Sequence, residues 1–172
     1  DMRLWDMSSD EHICVKVVSG QLPALRPESE LTSLACWHPS GAYLALPLRT
    51  QEIALVRTPA RREDVRRSDM WTTLAVLGPA SGTLSAEQRA PSGLVSALAF
   101  SPNGRYLAAA TEDAQVTIWA MDSRRVVRTQ RAEALVTGLA WHPAKDVLAW
   151  TDTQGQLVRW DGTLGATLPS GW

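Results

Sequence analysis

The sequence predicts an all-β fold: a run of small four-stranded sheets, the blades of a partial β-propeller. Three observations point there. One turn recurs, as Trp37-His38-Pro39-Ser40-Gly41, Phe100-Ser101-Pro102-Asn103-Gly104 and Trp141-His142-Pro143-Ala144-Lys145. Around it, apolar residues repeat at fixed offsets without a gap. An aromatic stands two places before each proline, Leu44, Leu107 and Leu148 five places after it, and Ile53, Val116 and Leu157 fourteen places after it. Finally, the chain has eight Trp and one Phe. Trp119 and Trp160 stand seventeen places after their prolines, where the first unit has Val56. A period of roughly 40 to 45 residues with four short strands per unit marks a propeller blade.

Taken in order, Met2 to Asp6 and Ile13 to Val18 read as the third and fourth strands of an earlier blade, so residues 1–20 end a blade. A second blade covers 31–77, with an insertion at 57–68 and an outer strand from Trp71 to Leu77. The prolines of this blade and the next are 63 residues apart, and those of the last two 41. The excess falls in that insertion and in 78–93, both rich in charge or turn formers and read as loops. The blade at 94–130 has strands Leu94 to Phe100, Arg105 to Thr111, Gln115 to Met121 and Arg125 to Gln130. Pro102-Asn103-Gly104 and Glu112-Asp113-Ala114 supply its reversals. The last blade covers 135–168, with Thr153-Gln154-Gly155 as a hairpin turn and Leu164 to Leu168 as its outer strand. The whole of 1–172 is then one partial propeller, and residues before Asp1 are expected to close the ring, since open ends leave apolar sheet faces uncovered. Trp37, Phe100, Trp119, Trp141 and Trp160 are assigned to its core.

Composition narrows the function. With 45% hydrophobic and 20% charged residues in 172, the chain is expected to fold. Its apolar runs are far short of the roughly 20 residues that span a bilayer, so no membrane partner is expected. Two cysteines, Cys14 and Cys36, make no disulfide framework. A net charge of -1 argues against a domain devoted to neutralising DNA phosphates.

Leu139-Ala140-Trp141-His142-Pro143 followed by Trp150-Thr151-Asp152-Thr153-Gln154-Gly155-Gln156-Leu157 resembles the last blade of a particular propeller. Leu44-Ala45-Leu46-Pro47 and Leu98-Ala99-Phe100-Ser101-Pro102-Asn103-Gly104 agree with it. The chain, from Met2 to about Asp161, is similar to the N-terminal WD-repeat propeller of a replisome hub family. That family is the chromosome transmission fidelity protein of fungi, called acidic nucleoplasmic DNA-binding protein (a WD-repeat and HMG-box protein) in animals. Trp150 in place of the usual Tyr, and Lys145 in place of a turn glycine, depart from the pattern. The resemblance implies a WD40-type fold, a nuclear setting, and a parent protein that is a homo-oligomer. It implies replication partners, helicase and polymerase alpha-primase, held through regions outside this stretch.

No reactive centre emerges, and neither catalytic residues, cofactor nor metal are expected. His38 and His142 precede prolines and read as turn-stabilising; Cys36 and His38 are at most two metal ligands. Asp113 and Asp152 sit in hairpin turns of separate blades, where aspartate holds nearby N–H groups. Gly93-Leu94 and Ala134-Leu135 replace the Gly-His pair that begins the His–Ser/Thr–Asp–Trp hydrogen-bond chain of many such blades, so that chain cannot be assembled. One feature rises above background: Arg57, Arg61, Arg62, Arg66 and Arg67 lie within eleven residues, with Arg124 and Arg125 in the equivalent loop of the next blade. Both loops join third to fourth strands and should emerge on one face. They are either solvated loops with internal Arg–carboxylate pairs or a basic rim for DNA, chromatin or an acidic partner. The expectation is a non-catalytic scaffold of DNA replication and sister-chromatid cohesion, against a WD-repeat adaptor of another pathway, such as a vesicle coat or ubiquitin ligase, or a propeller enzyme.

Overall fold

Alternating apolar residues, broken by short polar turns, build three four-stranded antiparallel sheets and a two-stranded one. The computed structural model describes residues 2–6, 13–17, 35–48, 52–67, 70–78, 93–161 and 166–169. Strands β1 (Met2–Asp6) and β2 (Ile13–Val17) pair with each other. The next sheet runs β3 (Cys36–Trp37), β4 (Tyr43–Pro47), β5 (Ile53–Arg57), β6 (Thr72–Leu77). The third runs β7 (Val95–Phe100), β8 (Tyr106–Thr111), β9 (Gln115–Ala120), β10 (Arg125–Arg131). The fourth runs β11 (Val136–Trp141), β12 (Val147–Asp152), β13 (Leu157–Asp161), β14 (Ala166–Pro169). In every sheet consecutive strands are neighbours. The first strands stand next to one another, β3 beside β7 and β7 beside β11, so the sheets radiate from a common inner edge as a partial ring. Most of 78–93, residues 31–34, Ser68, His12 and the side chain of Cys14 lie outside the described residues.

The apolar offsets are core except for Leu157, which is half-buried. Leu44, Leu107 and Leu148 are fully buried, as are Ile53 and Val116. Apart from Leu44, whose cluster is drawn from its own blade, they pack between sheets. Leu55, Ile53 and Leu77 of one sheet meet Leu107, Ala109 and Trp119 of the next, and Val116 and Ile118 meet Leu148, Trp150 and Trp160. The run Ala108-Ala109-Ala110 at 0% exposure lets two neighbours approach β8 from both faces. Trp119 and Trp160 are core as expected; Phe100 and Trp141 are half-buried.

Trp37 is the correction: it is 49% exposed. Its counterparts are covered by the sheet before them. Phe100 meets the rings of His38 and Tyr43 edge-on. Trp141 stacks on Tyr106 and donates its Nε1–H to the Ala99 carbonyl at 3.0 Å. The sheet preceding Trp37 has two described strands, β1 and β2, against four in the others.

The insertion at 57–68 also differs from expectation. It is not a bare loop: Arg62–Arg66 form a 3-10 turn that places Val65 against the cluster of Leu44, Leu46, Ala54 and Val56. Trp71, buried in the same cluster, donates its indole N–H to the Val65 carbonyl at 3.1 Å. Val56 stands where the other sheets carry Trp119 and Trp160, and Trp71 brings an indole to the blade whose third strand lacks one.

Candidate functional site

The turns after β3, β7 and β11 and the loops after β5 and β9 share one end of the sheets. Two hydrogen bonds tie Thr58 to the first turn, from its N–H to the Ala42 carbonyl at 3.0 Å and from its Oγ1 to the Gly41 carbonyl at 2.6 Å. Likewise the Met121 N–H donates to the Arg105 carbonyl at 2.9 Å. Every arginine singled out in the sequence belongs to this rim. Arg57 ends β5, Arg61 precedes the 3-10 turn, Arg62 and Arg66 bound it with side chains that lie outside the described residues, and Arg67 follows it. Arg124 and Arg125 close the β9–β10 turn.

Electrostatics divides them. Arg61 faces Glu63 and Arg67 faces Asp64, both at 3.6 Å. On the next junction Arg105 reaches Asp146 at 3.2 Å, where Asn103 also donates to Asp146. Arg57, Arg124 and Arg125 are exposed and have no carboxylate partner among the described residues. Arg57 lies directly across the sheet from Tyr43. Arg124, a non-glycine residue at φ 56°, comes close enough for its charge to favour ionisation of the same phenol. Burial outweighs that charge and pushes the Tyr43 phenol up, so it stays an O–H.

Beside Arg57 and Arg124 lies an aromatic joint between sheets. The His38 ring stacks on Tyr43 at 4.3 Å between centroids and meets the Phe100 edge at 5.2 Å. Its Nδ1 accepts the Ser40 N–H at 3.2 Å, so the ring proton is on Nε2 and is donated to the Gly104 carbonyl at 3.2 Å. Gly104 must be glycine here: its φ is 71°, and a Cβ would fall 2.3 Å from Nε2. His142 is simpler; its Nδ1 accepts the Ala144 N–H at 3.0 Å. Tyr43, Tyr106 and Asp146 went unmarked in the sequence. A signal existed for the two tyrosines, each four places after its turn proline.

The acidic turns hold backbone. Asp152, 6% exposed, accepts the N–H groups of Gln154 and Gln156 at 2.9 and 3.0 Å. Asp113 accepts the Thr111 hydroxyl. Cys36, its thiol pushed up to about 12 chiefly by burial, is no nucleophile at neutral pH. Among the described residues, no group of three or more His, Cys, Asp or Glu side chains could hold a metal ion. Among the described residues, the indole nitrogens of Trp119, Trp150 and Trp160 are buried without a partner.

A family model described as the anaphase-promoting complex subunit 4 WD40 domain matches residues 35–142. The chain belongs to the WD40-repeat propeller family. It is 31% identical over 143 residues to minichromosome loss protein 1 of Schizosaccharomyces pombe, covering 83% of this chain and 15% of that protein. It is 33% identical over 67 residues to the ribosome biogenesis protein bop1 of Danio rerio, covering 39% of this chain and 9% of that one. This WD40 chain thus spans less than a fifth of the length of either relative. Among solved structures it is similar to the WD40 repeats of RRP9, with TM-score 0.63 and 20% identity over 86% of this chain and 42% of that one. It is similar also to U3-55K, with TM-score 0.62 and 19% identity over 85% of this chain and 41% of that one. These two likenesses show the fold alone.

Proposed function

We propose that this WD40 chain is a non-catalytic interaction scaffold of the nuclear DNA replication machinery, linking replisome or chromatin components. The observation that carries the reading is the 31% identity to minichromosome loss protein 1 across 83% of the chain. Rigid sheets that hold loops at one end suit the role, because docking segments then meet side chains already fixed in place. The arginine rim is the contact surface in this reading. Affinity isolation of the whole protein from nuclear extract, with mass spectrometry, tests it. Replication-fork components are expected; their absence overturns it. A second reading, an adaptor in another assembly such as a ubiquitin ligase, draws on the match to the anaphase-promoting complex subunit 4 WD40 domain. Subunits of such an assembly in the same experiment would favour it.

A further inference from the structure

The rim is not uniformly basic, and its division says what can dock there. Arg61, Arg67 and Arg105 already face carboxylates of this chain. Arg57, Arg124 and Arg125 do not; Arg57 and Arg124 come from two adjacent sheets and meet beside Tyr43, whereas Arg125 lies in register with Tyr106 on the face turned to the fourth sheet. Around them Glu63 and Asp122 are exposed. Glu63 faces Arg61, and Asp122 is turned onto the Ser123 N–H at 2.5 Å.

We propose that Arg57 and Arg124 form an anion-binding notch across the joint between the second and third sheets, and that its ligand is a short carboxylate-rich peptide segment. This rests on the scaffold reading and gives the chemistry of its partner. Two arguments favour a peptide over duplex DNA. A duplex presents one negative charge per roughly 1.7 Å of axis and needs a continuous basic stripe, whereas this rim is interrupted by Glu63 and Asp122. The chain carries a net charge of -1 and has no general excess of cation to offset phosphates. The guanidinium fork takes up the two oxygens of a carboxylate as readily as those of a phosphate. Beside it, the Tyr43 hydroxyl keeps its proton to donate, and the stacked His38–Tyr43 pair offers a firm apolar floor.

The test compares two exposed charge reversals in the full chain. Fluorescence anisotropy would follow a dye-labelled, glutamate-rich peptide of about ten residues, with a dye-labelled DNA duplex as second probe. Arg57→Glu with Arg124→Glu should weaken peptide binding by roughly tenfold or more, since each contact contributes a factor of several. Arg61→Glu with Arg67→Glu should change it by less than about threefold, because those guanidinium groups already face carboxylates. Arg57→Gln with Arg124→Gln should give an intermediate loss, and raised salt should weaken binding to the unaltered chain. Equal losses for the two reversals, no loss for the first, or tighter binding of the duplex than of the peptide would each overturn the notch. Thermal melts of each variant establish that the fold is intact. Replication partners still recovered with a protein whose notch fails this test would leave the scaffold reading standing.

Discussion

Gly104→Ala should be among the most damaging single-methyl changes in the molecule, and the structure says why. The residue holds φ at 71°, where an L side chain costs about 1–2 kcal/mol. The added Cβ would lie 2.3 Å from His38 Nε2 and 2.7 Å from Cε1, so the ring must leave. Its departure removes the hydrogen bond to the Gly104 carbonyl, about 1 kcal/mol, and the contacts with Tyr43 and Phe100, about 0.5–1.5 kcal/mol for an aromatic pair. The expected loss is about 3–4 kcal/mol, or roughly 10 °C in Tm for a domain of this size. Urea denaturation followed by tryptophan fluorescence would measure it, as a double-mutant cycle with His38→Ala. With the ring gone, Gly104→Ala should cost only the backbone part, about 1–2 kcal/mol. Equal costs in both backgrounds, within about 0.5 kcal/mol, would refute the claim that His38 keys one sheet into the next.

Other sites give independent checks. Trp141→Phe keeps the ring over Tyr106 but deletes the donor to the Ala99 carbonyl, and should lower stability by about 1–2 kcal/mol in the same denaturation assay. Asp152→Ala removes the acceptor for two turn N–H groups and should cost about 1–3 kcal/mol, with faster amide exchange confined to Gln154 and Gln156; Asp152→Asn should recover part of the loss. Cys36 predicts a pH effect. Its thiol moves from an ordinary 9.0 to about 12, so above pH 9 the unfolded chain gives up this proton while the folded chain keeps it. The unfolded state then binds fewer protons, and stability present below pH 9 falls between 9 and 12. Urea midpoints in that range should drop more steeply for the unaltered protein than for Cys36→Ala.

The repeat offsets placed strands well because they record burial between sheets, which recurs in every unit. Strand ends fall within a residue of expectation in the third sheet: Val95 for Leu94, Tyr106 for Arg105, Ala120 for Met121. Trp37 shows where a repeat offset stops reporting burial. Its offset from Pro39 matches those of Phe100 and Trp141, yet its burial depends on what the preceding sheet supplies, and no periodicity within its own unit reports that. The insertion at 57–68 fails for a different reason. A 3-10 turn anchored by one apolar residue, Val65, has too few apolar positions to show a period, and the partner that holds it, Trp71, reads equally well as the start of an outer strand.

The arginines make the same point in charge rather than packing. By sequence the 57–67 segment is the basic cluster and Arg124-Arg125 a minor echo. Folding reverses their weight, because Glu63 and Asp64 sit within reach of Arg61 and Arg67, while Arg57, Arg124 and Arg125 form no ion pair among the described residues. A count of charges along the chain cannot separate the two cases, since surface pairing depends on where a 3-10 turn points its side chains. What could have separated them is the tyrosine four places after the first two turn prolines: Tyr43 marks the joint where strands of one sheet and the turn of the next converge. Positive charge left unpaired over such a joint, on residues that two sheets hold in place, is a better guide to a docking surface than the density of arginine in the loop beside it.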